Sequence, residues 1–268
     1  MIRIDFLGTG NAFTPPGRLH ALTLIDEKIL IDTPPTLLTQ LQRKGTKTSE
    51  IEHLLFTHWH ADHTFGFPFF MLERKYISDP NGKNNLKIYL RPGGKDKLAE
   101  LCNIGFPGSL ENIGDMADWY EEEKFELPET NWSFERFPVC HTPETDPHGY
   151  ELTHNTGFKL LHCGDSGPCK EIEERAENSN IVILEMGMPD IGDFPYHYTP
   201  SDVIEFSKKF PKSLILVTHN FASSKNISEG FKIPELPKEV FQLEDGDAIE
   251  INQNGCLLYT SPSPRDRG

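Results

Sequence analysis

An apolar run that ends in a cluster of metal-binding side chains leaves few folds open. This chain has one at residues 54–67, LLFTHWHADHTFGF. Three of its eleven histidines, His58, His60 and His63, fall within six residues there, with Asp62 between the last two. The apolar residues ahead of them read as a strand. A straight strand would splay alternate side chains to opposite faces, whereas a tight turn directly after it lets four side chains converge. Imidazole nitrogen and carboxylate oxygen suit zinc at about 2.0–2.2 Å. Chance seldom produces this pattern in a chain of this length.

One local cluster cannot close a catalytic site, so further ligands are expected at the ends of later strands. Three residues are placed that way: His141 ends FERFPVCH, Asp165 follows GFKLLHCGD at its end, and His219 ends SLILVTH. Each alone would be an ordinary strand-end residue; in this order after His-x-His-x-Asp-His they are far more specific. Around them, β-type runs recur at 2–7, 22–25, 29–32, 53–57, 86–90, 134–140, 157–162, 181–185, 214–218, 240–243 and 248–251. Several are continuous apolar runs, as in strands buried on both faces. Helical patterns fall at 35–44, around 96–101 and at 170–177. YTPSDVIEFSKKF carries its own start signal, with Thr199 as N-cap, Pro200 in the first turn and Asp202 in capping-box position. Phe69, Phe70 and Met71 read as packing residues of a helix after the histidine motif, and 78–85 as a surface loop. The expected architecture is one α/β domain of two sheets flanked by helices.

From IDFLGTG to LEDGDAIEI, the ordered motifs resemble the metallo-β-lactamase superfamily of αββα sandwich hydrolases. The resemblance implies a four-layer sandwich with a dinuclear site. His58, His60 and His141 would hold the first metal, Asp62, His63 and His219 the second, and Asp165 would bridge them. Two divalent cations are implied, zinc by default, with manganese or iron compatible with the same ligands. Such a pair, about 3.5–4 Å apart, lowers the pKa of a shared water from about 15.7 toward 7 and polarises the scissile group. Asp62 would accept the nucleophile's proton or orient it. Within the superfamily, NIVILEMGM, YHYTPSDV and LVTHN resemble the ribonuclease Z-like and phosphodiesterase branch. That likeness assigns Glu185 and His197 as a pair protonating the leaving oxygen; an alkoxide leaves poorly, and an imidazolium held by a carboxylate is a good acid. The first loop, LGTGNAFTPPGRLHALTLI, also resembles the branch but departs from it at RLHALT, so Arg18 and His20 receive no role.

The net charge of −15 repels phosphate backbones, which disfavours extended nucleic acid. No Gly/Pro- and Lys-rich insertion is present of the kind ribonuclease Z uses to capture precursor tRNA. The expected substrate is a small or nucleotide-type phosphodiester. The alternatives are a thioester, lactone or other carboxyl derivative on the same fold, tRNA 3′-processing, and a non-catalytic metal-binding role. Trp59 is a candidate pocket wall that could stack on a flat group, and His148 is read as a loop residue. No apolar run approaches the roughly 20 residues of a membrane span, and no signal peptide is recognised, so a cytoplasmic location with no membrane partner is expected. Dimers are common in the branch, which leaves a homodimer open. Cys102, Cys140, Cys163 and Cys169 lack C-x-x-C spacing and are expected to be buried reduced thiols. CLLYTSPSPRD looks like a translated sequencing adapter, so residues 1–255 are read as the hydrolase domain and 256–268 as a non-native tail.

Overall fold

Runs rich in Ile, Leu, Val and Phe become strands in this computed structural model, which describes residues 1–223, 232–252 and 257–261. In chain order the first strands are β1 (Ile2–Gly8), β2 (Leu22–Ile25), β3 (Ile29–Ile31), β4 (His53–Leu55), β5 (Lys87–Tyr89) and β6 (Asp118–Tyr120). Then come β7 (Lys124–Glu126), β8 (Trp132–Pro138), β9 (His148–His154), β10 (Lys159–His162), β11 (Ile181–Met186) and β12 (Leu214–Asn220). The last are β13 (Val240–Gln242), β14 (Asp247–Ile251) and β15 (Leu257–Thr260). One sheet has the order β15-β14-β1-β2-β3-β4-β5-β6 and the other β13-β12-β11-β10-β9-β8-β7.

Each sheet is antiparallel at one side and parallel at the other. Strands β3 to β6 run parallel in the first sheet and β10 to β13 in the second. Parallel neighbours need long crossovers, and helices supply several of them. These are α1 (Leu37–Lys44), the single turn α2 (Ala61–Thr64) with α3 (Phe67–Glu73), α4 (Gly94–Gly105), α5 (Lys170–Ala176) and α6 (Pro200–Lys209). The C-terminal ends of parallel strands in such folds are where ligands bind, and Asp32, the histidine motif, Asp165, Glu185 and His219 all lie there.

Three apolar clusters make four layers. Ile4, Phe6, Tyr89, Phe134, Leu160, Ile183 and Leu216 fill the space between the sheets. Leu37, Leu41, Phe70, Met71 and Leu98 cover the outer face of the first sheet, against Leu30, Leu54 and Ile88. Ile172, Val203 and Phe206 cover the outer face of the second, against Val182, Leu184 and Val217. Full burial of one such side chain contributes about 1.5–3 kcal/mol. The result is the expected αββα sandwich.

Several local expectations need correction. His148 is not a loop residue: it opens β9, is buried, and its N–H donates to Thr57 O at 2.9 Å. Tyr150, Leu152 and His154 alternate inward along that strand, a period of two that a search for continuous apolar runs passes over. The short, charged β6 and β7 also escaped the apolar-run criterion. Cys102, Cys163 and Cys169 are buried, but Cys140 is exposed. Phe70 and Met71 pack as expected, whereas Phe69 is half exposed against Phe106. Of the segment read as a tail, only 257–261 is described, and β15 there pairs antiparallel with β14; residues 256 and 262–268 lie outside the described residues. Among the described residues, no helix is long and apolar enough to cross a membrane.

Candidate active site

Past Leu55 the pairing of β4 with β5 lasts one more bond and is then given up to a side chain. Phe56 N–H donates to Tyr89 O at 3.2 Å, and Thr57 N–H to Asp32 Oδ1 at 2.8 Å. The chain stays extended through His60 and then turns once as α2, with His63 N–H on His60 O at 3.1 Å and Thr64 Oγ1 on the same oxygen at 2.8 Å. This bend swings Asp62 and His63 toward His58 and His60. His141 arrives from beyond β8, Asp165 from beyond β10, and His219 from near the end of β12. Glu185 comes from β11, and His197 from the segment ahead of α6. All nine residues singled out in the sequence meet at one place.

Their donor atoms form two sets. In the first, His60 Nδ1 lies 3.1 Å from both His58 Nε2 and His141 Nε2. In the second, Asp62 Oδ2 lies 3.3 Å from both His63 Nε2 and His219 Nε2. Asp165 Oδ2 lies 3.4 Å from His63 Nε2 and 3.2 Å from His219 Nε2. The same Asp165 oxygen is 3.8 Å from His58 Nε2, so it faces both sets. A tetrahedral cation about 2.0–2.1 Å from each donor requires donor–donor edges of about 3.3 Å, and both sets match. His63 Nε2 is buried and has no hydrogen-bond partner; its neighbours are these two carboxylates. A ring nitrogen facing two carboxylates calls for positive charge between them, from a proton or a metal cation.

The outer ring nitrogens settle the tautomers. His141 Nδ1 must donate to Tyr196 O, an acceptor only, at 3.0 Å. His63 Nδ1 donates to Asp32 Oδ2 at 2.8 Å. Thr57 Oγ1 donates to the same Asp32 oxygen at 2.7 Å, so it accepts from His58 Nδ1 at 3.1 Å. In the neutral ring each bond leaves the inward Nε2 to carry the lone pair, as a metal ligand requires. Asp32 was not anticipated as a site residue. Its only sequence signal was its place at a strand end, shared with Asp165 and His219.

Electrostatics point the same way. Burial pushes His58 well below its ordinary pKa, and neighbouring His63 lowers it further, so it is neutral. Burial opposes charge on His63 as well, but Asp165, Asp62 and Asp32 override it and raise its pKa well above the ordinary value. His219 is carried to about 10 against its burial penalty, by Asp165 first and then by Asp62 and Glu185. Burial raises Asp62, yet His63 and His219 hold it far below the usual carboxylate range. Positive charge is strongly favoured here, and the donor set fits divalent cations.

Beside this cluster, His197 Nδ1 donates to Glu185 Oε1 at 2.8 Å. Glu185 is buried, and backbone N–H groups of Ser166 (2.9 Å to Oε1) and Gly187 (2.6 Å to Oε2) hold its carboxylate. Burial disfavours charge on His197, but Glu185, by charge and hydrogen bond, raises its pKa above the ordinary value. The left-handed backbone at Asp32 (φ 69°) and His219 (φ 44°) concentrates strain where the donors converge.

The remaining candidates take other partners, although His20 lies near enough to feel the charges of Asp62, His63 and His219. Arg18 is buried and donates to Ala222 O at 2.7 Å and to Thr9 Oγ1 and Leu243 O at 2.6 Å, tying the first loop to distant segments. His20 Nδ1 pairs with Thr36 Oγ1 at 3.2 Å. Trp59 already has ring partners: it stacks on Phe56 at 5.8 Å and carries Lys97 Nζ 4.9 Å from its ring centre.

A family model described as anti-Pycsar protein Apyc1 matches residues 2–231. Ribonuclease Z of Pyrobaculum aerophilum is 22% identical over 274 residues, across 82% of this chain and 86% of the relative. The crystal structure of a diphosphatase from the PhnP family has a TM-score of 0.69 at 22% identity, covering 94% of this chain and 98% of that one. The metallo-β-lactamase fold protein YhfI from Bacillus subtilis has a TM-score of 0.70 at 13% identity, covering 92% of this chain and 98% of that one. The fold is that of the metallo-β-lactamase superfamily. The expectation, drawn from net charge, that extended nucleic acid is an unlikely substrate is not borne out by a relative named for ribonuclease activity.

Proposed function

The chain belongs to the family of the anti-Pycsar protein Apyc1, and from that premise we propose that it is a metal-dependent hydrolase of phosphodiester bonds in a small or nucleotide-type substrate. The observation that carries this reading is the Glu185–His197 pair, joined at 2.8 Å, beside two donor sets that Asp165 faces. A relative named ribonuclease Z and a structural neighbour titled a diphosphatase support phosphate-ester chemistry.

His58, His60 and His141 would hold one cation, and Asp62, His63, Asp165 and His219 the other. Bound there, two divalent ions supply an ionised water at neutral pH and polarise the phosphoryl oxygen. The chain's own residues do the rest. Asp62 accepts or orients the proton of the attacking water. His63, His58 and His141 are kept in the ligating tautomer by Asp32, Thr57 and the Tyr196 carbonyl. As the scissile P–O bond breaks, its electron pair stays on the leaving oxygen, which takes a proton from His197. Glu185 holds that imidazolium in place. A carbonyl substrate with a good leaving group would have no use for such an acid, which favours a diester with an alkoxide leaving group.

The test is turnover by metal-reconstituted protein of bis-p-nitrophenyl phosphate, a dinucleoside monophosphate, a cyclic nucleotide and precursor tRNA, against thioester and lactone panels. Diester cleavage is expected, with about two metal equivalents per chain and loss of activity on chelation. Turnover confined to thioesters or lactones would refute the reading. Cleavage of precursor tRNA alone would transfer it to an RNA substrate.

A further inference from the structure

We infer that Gly167 and Gly187 are positioning residues whose missing side chains form the seat of His197. The inference rests on the phosphodiesterase reading only for its kinetic consequence. A Cβ on Gly187 would lie 2.4 Å from Glu185 Oε2 and 2.8 Å from His197 Nδ1. A Cβ on Gly167 would lie 2.1 Å from Pro195 O and 3.3 Å from His197 N. Neither glycine has a positive φ, so the requirement is for space and not for an unusual backbone.

Neither glycine can easily retreat. Gly187 N–H donates to Glu185 Oε2 at 2.6 Å, and its carbonyl accepts from Asn11 Nδ2 at 2.9 Å. Gly167 N–H donates to Cys140 O at 2.8 Å, and its carbonyl accepts from Ser166 Oγ at 2.6 Å. With both backbones anchored, an added methyl group displaces what it meets. At Gly187 that is the Glu185 carboxylate and the His197 ring. At Gly167 it is the Pro195–His197 backbone, which includes the Tyr196 carbonyl that accepts from His141 Nδ1. The two positions therefore differ in consequence. Gly187 governs the acid pair, with His219 Nδ1 3.9 Å from the same Glu185 Oε2, whereas Gly167 governs the acid and, through Tyr196, one face of the first donor set.

A displacement of about 1 Å at a reacting group costs on the order of a hundredfold in rate, and it shows only where that group acts. Protonating the leaving oxygen matters for a ribose alkoxide and little for p-nitrophenolate. Gly187→Ala in the zinc-reconstituted enzyme is therefore expected to lower kcat on a dinucleoside monophosphate about 10–100-fold, with KM changed less than about twofold. The loss on bis-p-nitrophenyl phosphate is expected to be far smaller, metal content should be retained, and Gly187→Ala should add nothing to His197→Ala. Gly167→Ala is expected to lower metal affinity as well.

Proton NMR supplies a readout that needs no substrate. The downfield Nδ1–H resonance of His197, assigned by its loss in His197→Ala, should shift or vanish in Gly187→Ala. An unchanged resonance with an unchanged rate would overturn the inference. So would an equal loss on both substrates, or full additivity with His197→Ala. If Gly187→Ala perturbs the resonance while wild-type protein cleaves neither diester, the seat stands and the phosphodiesterase reading falls.

Discussion

A single carboxylate orders much of the metal-facing cluster. Asp32 accepts from Thr57 N–H, Thr57 Oγ1 and His63 Nδ1, all within 2.8 Å, and through Thr57 it sets the tautomer of His58. Asn at this position would keep the shape but bring an amide N–H against a donor, either Thr57 or His63. Asp32→Asn is expected to weaken metal binding about 10–100-fold, measured by chelator competition, with little change in the far-ultraviolet circular dichroism. Undiminished affinity would show that His63 needs no partner. Asp32 carries no motif of its own. Its role is visible only once β3 and β4 lie side by side and the turn of α2 brings His63 back over them.

Elements differ in how much of their stability is local. Helix α6 announces itself: Thr199 N–H donates to Asp202 Oδ2 at 2.9 Å, Pro200 opens the first turn, and Lys208 and Lys209 sit in the last. Thr199→Ala is expected to cost about 1 kcal/mol, read as a lowered urea midpoint. Because Thr199 follows His197 by two residues, the same change should lower kcat on alkoxide-leaving substrates more than on p-nitrophenyl esters. The single turn α2 is the opposite case. One turn does not persist by itself in water, and this one is held by contacts from outside, including Thr33 N–H on His63 O at 2.7 Å. Residues 61–64 are therefore legible as a turn but not as a helix. Strand β9 lies between the two, since its inward alternation exists only against β8 and β10.

At the scale of the whole molecule, stability depends on groups that join the sheets far from the chemistry. His53 is fully buried, accepts from Tyr89 OH at Nδ1 (3.1 Å) and donates from Nε2 to Pro128 O (3.0 Å). Burial, then the charge of Lys87, lowers its pKa to about 4. Above the unfolded value of about 6.5 both states are neutral and the histidine contributes no pH dependence. As pH falls from about 6.5 to 4, the unfolded chain takes up a proton that the folded chain refuses, and about 3 kcal/mol of stability is lost. Urea midpoints of wild type and His53→Gln at pH 7.5, 6 and 5 should converge as the pH falls, since the substitution removes this share of the slope. Parallel curves would disprove the assignment.

Donor identity could be read along the chain because a cation accepts few side-chain types. Histidine and aspartate at the ends of apolar runs, in this order, mark both the candidate ligands and the strand ends that carry them. Glu185 and His197 came instead from the likeness of NIVILEMGM and YHYTPSDV to the ribonuclease Z-like branch. What holds these residues in place belongs to the tertiary structure alone. The Tyr196 carbonyl and the Ser166 and Gly187 amides are backbone groups that almost any residue could provide, and the spaces at Gly167 and Gly187 need glycines that nothing local sets apart from the others. Such features leave no local pattern, and they acquire meaning only when segments distant in sequence are brought within hydrogen-bond reach.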